Sequence, residues 1–120
     1  LIMIIYKKYY FDTAHFMPNH SKNHKYSKVH GHSYEITIFL NGKQNKKKGW
    51  VMDFEKIDIF MKPILKKIDH NLLNDLHGLE NPTSENIAKW FWLHLKGKIK
   101  NLEKIEINRP RIGGCVYSGE

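Results

Sequence analysis

A chain of 120 residues with 41% hydrophobic and 27% charged residues has the make-up of one soluble globular domain, 1–120, and holds no apolar run near the ~20 residues of a membrane-spanning helix. Its single cysteine, Cys115, excludes an intrachain disulfide and points to the reducing cytoplasm. The net charge of +8 favours anionic ligands, but with neither an RNA-binding signature, zinc-finger cysteines nor a basic helix, nucleic acid has only that charge in its favour.

The opening Leu1-Ile2-Met3-Ile4-Ile5 is too short for a secretion-signal core and reads as the start of a strand. Ile4 to Ala14, rich in Ile, Tyr and Phe without Gly or Pro, is the first strand. Met17 to Lys28 has no apolar period and reads as an irregular loop. From His30 to Leu40 the alternation is clear: Tyr34, Ile36, Ile38 and Leu40 share parity with both histidines, against Ser33, Glu35 and Thr37. Asn41-Gly42 predicts a turn, Lys46 to Gly49 a hairpin tip and Trp50-Val51-Met52 a third strand. Helical spacing then runs from Phe54 through Ile57, Met61, Ile64 and Ile68, with Pro63 expected to kink it. Asn81-Pro82-Thr83-Ser84-Glu85 opens a second helix with a hydroxyl cap and an acidic first turn. Ile105 to Arg109 is a further strand, and Cys115-Val116-Tyr117 allows a short last one. The pattern predicts an α+β fold, an antiparallel sheet with two helices on one face.

Two groups of residues carry chemistry. His30-Gly31-His32 on an extended segment projects two imidazoles from one face, and His15 on a neighbouring strand would complete three nitrogens. Three protein ligands with one open position suit catalytic zinc; the alternative is ordinary surface or core histidines in a histidine-rich chain. Asp69-His70 ends the first helix, where a carboxylate can orient an imidazole for proton transfer or merely decorate the helix end. Glu80 and Glu85 flank the second helix's start, where compensation of the helix dipole is their default role.

These blocks, taken in order, resemble the 6-pyruvoyltetrahydropterin synthase family, in its bacterial 6-carboxytetrahydropterin synthase branch. The resemblance rests on Phe11-Asp12-Thr13-Ala14-His15, His24-Lys25, Val29 to Tyr34, Gly49 to Phe54, Asp69 to Asn74, Gly78 to Glu85 and Gly114 to Glu120. It implies the tunnelling fold (T-fold): a four-stranded antiparallel sheet with two helices, joined edge to edge into an oligomeric barrel, commonly a hexamer, with active sites between subunits. It implies zinc on His15, His30 and His32, a proton relay at Asp69 and His70, and substrate contacts at Thr83, Ser84 and Glu85. The implied reaction turns 7,8-dihydroneopterin triphosphate, a pterin triphosphate, into 6-carboxytetrahydropterin on the way to queuosine.

Two positions depart from that pattern. The family's proton-abstracting cysteine falls at Tyr26, a phenol with an ordinary pKa about 1.5 units above a thiol, so a weaker candidate acid by roughly 2 kcal/mol. The family's pterin-anchoring glutamate falls at Arg109, whose guanidinium only donates hydrogen bonds and would meet a donor edge with donors. Glu106 could take over only through a bulge, since it faces the other side of a regular strand. Arg109 therefore reads as a contact for an acceptor-rich or anionic group, or as a residue turned outward to a subunit contact. Beside the lyase stand two further readings: a diverged zinc enzyme with a different, anionic substrate, and a non-catalytic zinc-binding homologue.

Overall fold

The computed structural model describes residues 2–119, so the beginning of the opening apolar run at Leu1 and the last residue of the closing motif, Glu120, lie outside the described residues. The chain runs β1 (Met3–His15), β2 (His30–Gly42), α1 (Phe54–Ile68), α2 (Ser84–Leu95), β3 (Leu102–Arg109) and β4 (Gly113–Tyr117). The four strands form one antiparallel sheet in the order β1-β2-β3-β4, the fold class expected from the sequence.

The expected parity of β2 is realised: Tyr34, Ile36, Ile38 and Leu40 are buried and meet Ile57, Met61, Ile64 and Ile68 of α1 and Ile87, Ala88, Phe91 and Leu95 of α2. Ile105 and Ile107 of β3 and Phe11 of β1 complete the same layer. Burial of this one sheet face against two helices is the main stabilising term, at roughly 1.5–3 kcal/mol for each large apolar side chain. Asp53 caps α1 by accepting the Glu55 N–H at 3.0 Å, and Thr83 caps α2 by accepting the Asn86 N–H at 3.1 Å.

One local expectation is corrected. Trp50-Val51-Met52 forms no strand, and β2 is paired on both sides by β1 and β3. Instead Asn45 organises a tight loop: its side chain accepts the N–H groups of Lys47 and Lys48, and its backbone N–H donates to the Trp50 carbonyl at 2.8 Å. Helix α1 runs as one segment through Pro63. Pro63 and Ile59 both lie on the exposed flank, where a carbonyl deprived of its helical donor can turn to water.

The β3–β4 pairing depends on one glycine. A Cβ at Gly114 would stand 1.8 Å from the Ile107 carbonyl oxygen and 2.9 Å from the Asn108 Cα, both backbone atoms. Gly114→Ala is therefore expected to lower unfolding stability by about 3 kcal/mol. Gly97→Ala, where a Cβ meets nothing within 4 Å, should change it by less than about 0.5 kcal/mol in the same urea titration.

Candidate metal centre and adjoining cavity

The register of β1 on β2 builds the centre. His15 lies directly opposite His30, and Thr13 opposite His32, so residues from two separate stretches converge at one end of the ladder. One ligand nitrogen from each of His15, His30 and His32 lies within 4.8 Å of the others. His15 is buried, while His30 and His32 are half-buried. Gly31 between them is less constrained than its sequence position implies, since a Cβ there would meet only the Thr13 carbonyl, at an ordinary 3.6 Å.

The end of β1 is held by the segment that follows α1. Thr13 Oγ1 and the Ala14 N–H both donate to the Asn71 carbonyl, at 2.5 and 3.2 Å. The Asn74 side chain accepts the Phe16 N–H at 3.0 Å and donates to the Phe16 carbonyl at 2.8 Å. These bonds fix the chain on both sides of His15. The Met17 N–H donates to the Tyr26 carbonyl at 2.7 Å and closes the base of the following loop.

Burial, the other two imidazoles and Arg109 lower the pKa of His15 to about 4, with the Pro82 carbonyl opposing in part. Burial, Arg109 and His30 lower that of His32 to about 4. Both rings are thus neutral near pH 7, the state a metal ligand requires. His30 Nδ1 lies 2.7 Å from the Lys28 carbonyl, which accepts its proton and leaves the Nε2 lone pair facing inward. The Nε2 atoms of His15 and His30 stand 3.0 Å apart, close to the roughly 3.3 Å that two tetrahedral zinc ligands require. Three imidazoles without a carboxylate fit zinc in its open, three-ligand form. One contact competes. Arg109 Nη2 donates to His32 Nδ1 at 3.1 Å, so a neutral His32 carries its proton on Nε2 until the guanidinium lets go.

A cavity of about 460 Å³ adjoins the histidines. His30, His32, Tyr26, Arg109, Thr83, Ser84 and Glu85 line it, together with Tyr34, Lys25 and His20. The last three were not singled out from the sequence, although the parity of Tyr34 with His30 and His32 on β2 was a usable signal. Tyr26 is 44% exposed and its ring centroid lies 6.5 Å from that of His30. Arg109 lines this cavity. Glu106 pairs with Val116 in a β3–β4 register that has no bulge, and it stays outside the cavity.

Asp69 and His70 are not brought into this cavity within the subunit. They sit on the far side of β1. Asp69 Oδ1 accepts the Asp12 N–H at 2.9 Å, Asp69 Oδ2 lies 3.0 Å from His70 Nδ1, and the His70 N–H donates to the Asp12 carbonyl at 2.6 Å. The Asp12 N–H and His70 hold the Asp69 carboxyl below its ordinary range. His70 takes a left-handed backbone (φ 59°), and its ring is largely exposed beside Thr13, Ala14 and Leu72. Cys115 pairs with Ile107 and packs against the core, and burial together with Glu85 raises its pKa.

Residues 4–120 match the 6-pyruvoyl tetrahydropterin synthase family, and the chain belongs to it. It is 36% identical to 6-carboxy-5,6,7,8-tetrahydropterin synthase of Synechocystis sp. over 110 residues, covering 87% of this chain and 84% of the relative. It is 38% identical over 80 residues to dihydroneopterin monophosphate aldolase of Pyrococcus furiosus, covering 67% and 63%. Among solved structures it superposes on 6-pyruvoyl tetrahydropterin synthase of Caenorhabditis elegans with a TM-score of 0.88 at 25% identity, covering 100% and 97%.

The depressed histidines predict an acid dependence. Between the ordinary 6.5 and about 4, the unfolded chain binds protons that the folded chain refuses at His15 and His32. Stability is therefore full above pH 6.5 and falls as the pH drops toward 4. In chelator-treated protein the melting temperature should decline over that window, and less steeply in His32→Gln.

Proposed function

We propose that this chain is a zinc-dependent carbon–carbon lyase that converts 7,8-dihydroneopterin triphosphate to 6-carboxytetrahydropterin, with loss of acetaldehyde and triphosphate, in the queuosine pathway. The observation that carries the reading is the convergence of His15, His30 and His32 beside a cavity lined by Tyr26, Thr83, Ser84 and Glu85. The name carried by the Synechocystis relative, matched along most of both chains, supports the same activity.

His15, His30 and His32 would hold the zinc. When bound, the metal supplies Lewis-acid polarisation of the substrate's side-chain oxygens. Tyr26 is the base within the subunit and stands at the cavity wall beside His30. Glu85 and the hydroxyls of Thr83 and Ser84 orient the ring, and Lys25 draws in the triphosphate. Asp69 fixes the orientation of His70 through Nδ1, leaving Nε2 as the exchanging nitrogen of the relay. Because this pair faces away from its own cavity, it serves the site of a neighbouring copy in a homo-oligomer, a hexamer. The sheet supports such an assembly. Among the described residues, the outer side of β1 is unpaired before Asp12 and that of β4 is unpaired, and the outer face exposes Tyr6, Tyr10 and Val116.

One observation favours a second reading, a diverged zinc enzyme acting on an anionic substrate. Arg109 lies in the cavity and touches His32. The aldolase name of the Pyrococcus relative shows that similar chains carry other activities.

Purified protein should hold about one zinc per chain, lost in His30→Ala, and should run in solution at about six times its 14.3 kDa chain mass. Incubation with dihydroneopterin triphosphate should release acetaldehyde, and Tyr26→Phe should slow that release by about 100-fold or more at unchanged zinc content. Full zinc loading without acetaldehyde would retire the lyase in favour of the diverged enzyme or a non-catalytic homologue.

A further inference from the structure

Two buried donors in the cavity wall have no partner among the described residues. Tyr34 is 1% exposed and its hydroxyl makes no hydrogen bond; Arg109 Nε is likewise buried and unpaired. Both residues line the cavity beside the histidines. Their proximity follows from the sheet. Tyr34 is two residues beyond His32 on the same face of β2. The β2–β3 register ends at Glu35 opposite Asn108, and one further step sets Arg109 opposite Tyr34.

The rest of Tyr34 is fully committed to packing. Its ring stacks on Phe11 at 5.0 Å and 12°, so the hydroxyl cannot swing out to solvent. No carboxylate comes within ion-pair distance of Arg109 among the described residues, and its side chain's one hydrogen bond among them goes to His32 Nδ1. That bond is lost if His32 takes a metal through Nε2 with its proton on Nδ1, which frees Nη2 beside Nε. A fork of guanidinium donors flanked by a phenol hydroxyl is a receptor for an acceptor group.

We propose that Tyr34 and Arg109 form a paired donor site that selects ligands presenting a carbonyl or carboxylate oxygen, rather than an amino group, to the His32 side of the cavity. The proposal rests on the reading of this cavity as the ligand site, not on the lyase reaction. The oxygen can belong to the ring or to a carboxylate on its substituent, and the probes separate these sources. Pterin carries a 2-amino group; lumazine carries a carbonyl there; pterin-6-carboxylate keeps the amino group and adds the carboxylate.

The test is a fluorescence titration of the zinc-loaded protein with each probe, at measured metal content. Wild type should bind lumazine or pterin-6-carboxylate about tenfold tighter than pterin, and Tyr34→Phe and Arg109→Gln should each bring that ratio to within about twofold. Preference for lumazine assigns the ring, and preference for the carboxylate assigns the substituent. Tyr34→Phe should also leave the ligand-free melting temperature unchanged or higher, because no hydrogen bond is removed. A wild type without preference, a Tyr34→Phe variant that keeps it, or a ligand-free melting temperature lowered by that variant would each overturn the proposal. A preference that persists in protein unable to turn over dihydroneopterin triphosphate would retire the lyase and leave the donor pair standing.

Discussion

Everything at the site hangs on the register of the β1–β2 ladder. The two strands are thirteen residues each and pair along their whole length, which places His15 opposite His30. A slip of one residue would turn one strand's side chains to the other face and separate the imidazoles. That slip is opposed far from the histidines, because Ile36, Ile38 and Leu40 would then leave the core. The energy that holds the three nitrogens together is thus mostly hydrophobic and sits on the same strand, several residues away. The Asn71 and Asn74 bonds add a local clamp at the strand's end.

The same geometry explains why the centre tolerates three histidines next to a fixed cation. Burial and mutual proximity keep His15 and His32 neutral, so Arg109 faces dipoles rather than like charges. A divalent ion changes that balance, since it adds positive charge and draws on the lone pair of a ring that Arg109 also engages. An anionic ligand restores it. On the proposed zinc reading, a metal held by the histidines would therefore favour something negative or acceptor-rich in the cavity. The excess of lysine along the chain works in the same direction at longer range.

How much of this is legible in the sequence depends on the range of each interaction. Strand parity and helical period are local, so β1, β2, both helices and the cap of α2 can be read from residue spacing, and so can the shared face of His30, His32 and Tyr34. The Trp50-Val51-Met52 segment has strand-like composition, but the loop organised by Asn45 carries it away from strand pairing, which is a property of the assembled fold. Most hidden from the sequence are the unpaired hydroxyl of Tyr34 and the Arg109–His32 contact, since both depend on β3 lying beside β2 across a long stretch of chain.

The Asp69–His70 pair shows how one motif can serve structure and chemistry together. Within the subunit its bonds to Asp12 fasten α1's end to β1, and the left-handed turn at His70 directs Asn71 and Leu72 alongside Ala14. This accounts for the aspartate, which is saturated by the Asp12 N–H and the His70 ring. It does not account for the imidazole, whose remaining nitrogen stands exposed on a surface remote from the cavity. A ring so carefully oriented and so little used by its own subunit makes physical sense when a second copy brings its cavity to that surface. In the proposed homo-oligomer, assembly would complete the proton relay as well as cover the sheet edges.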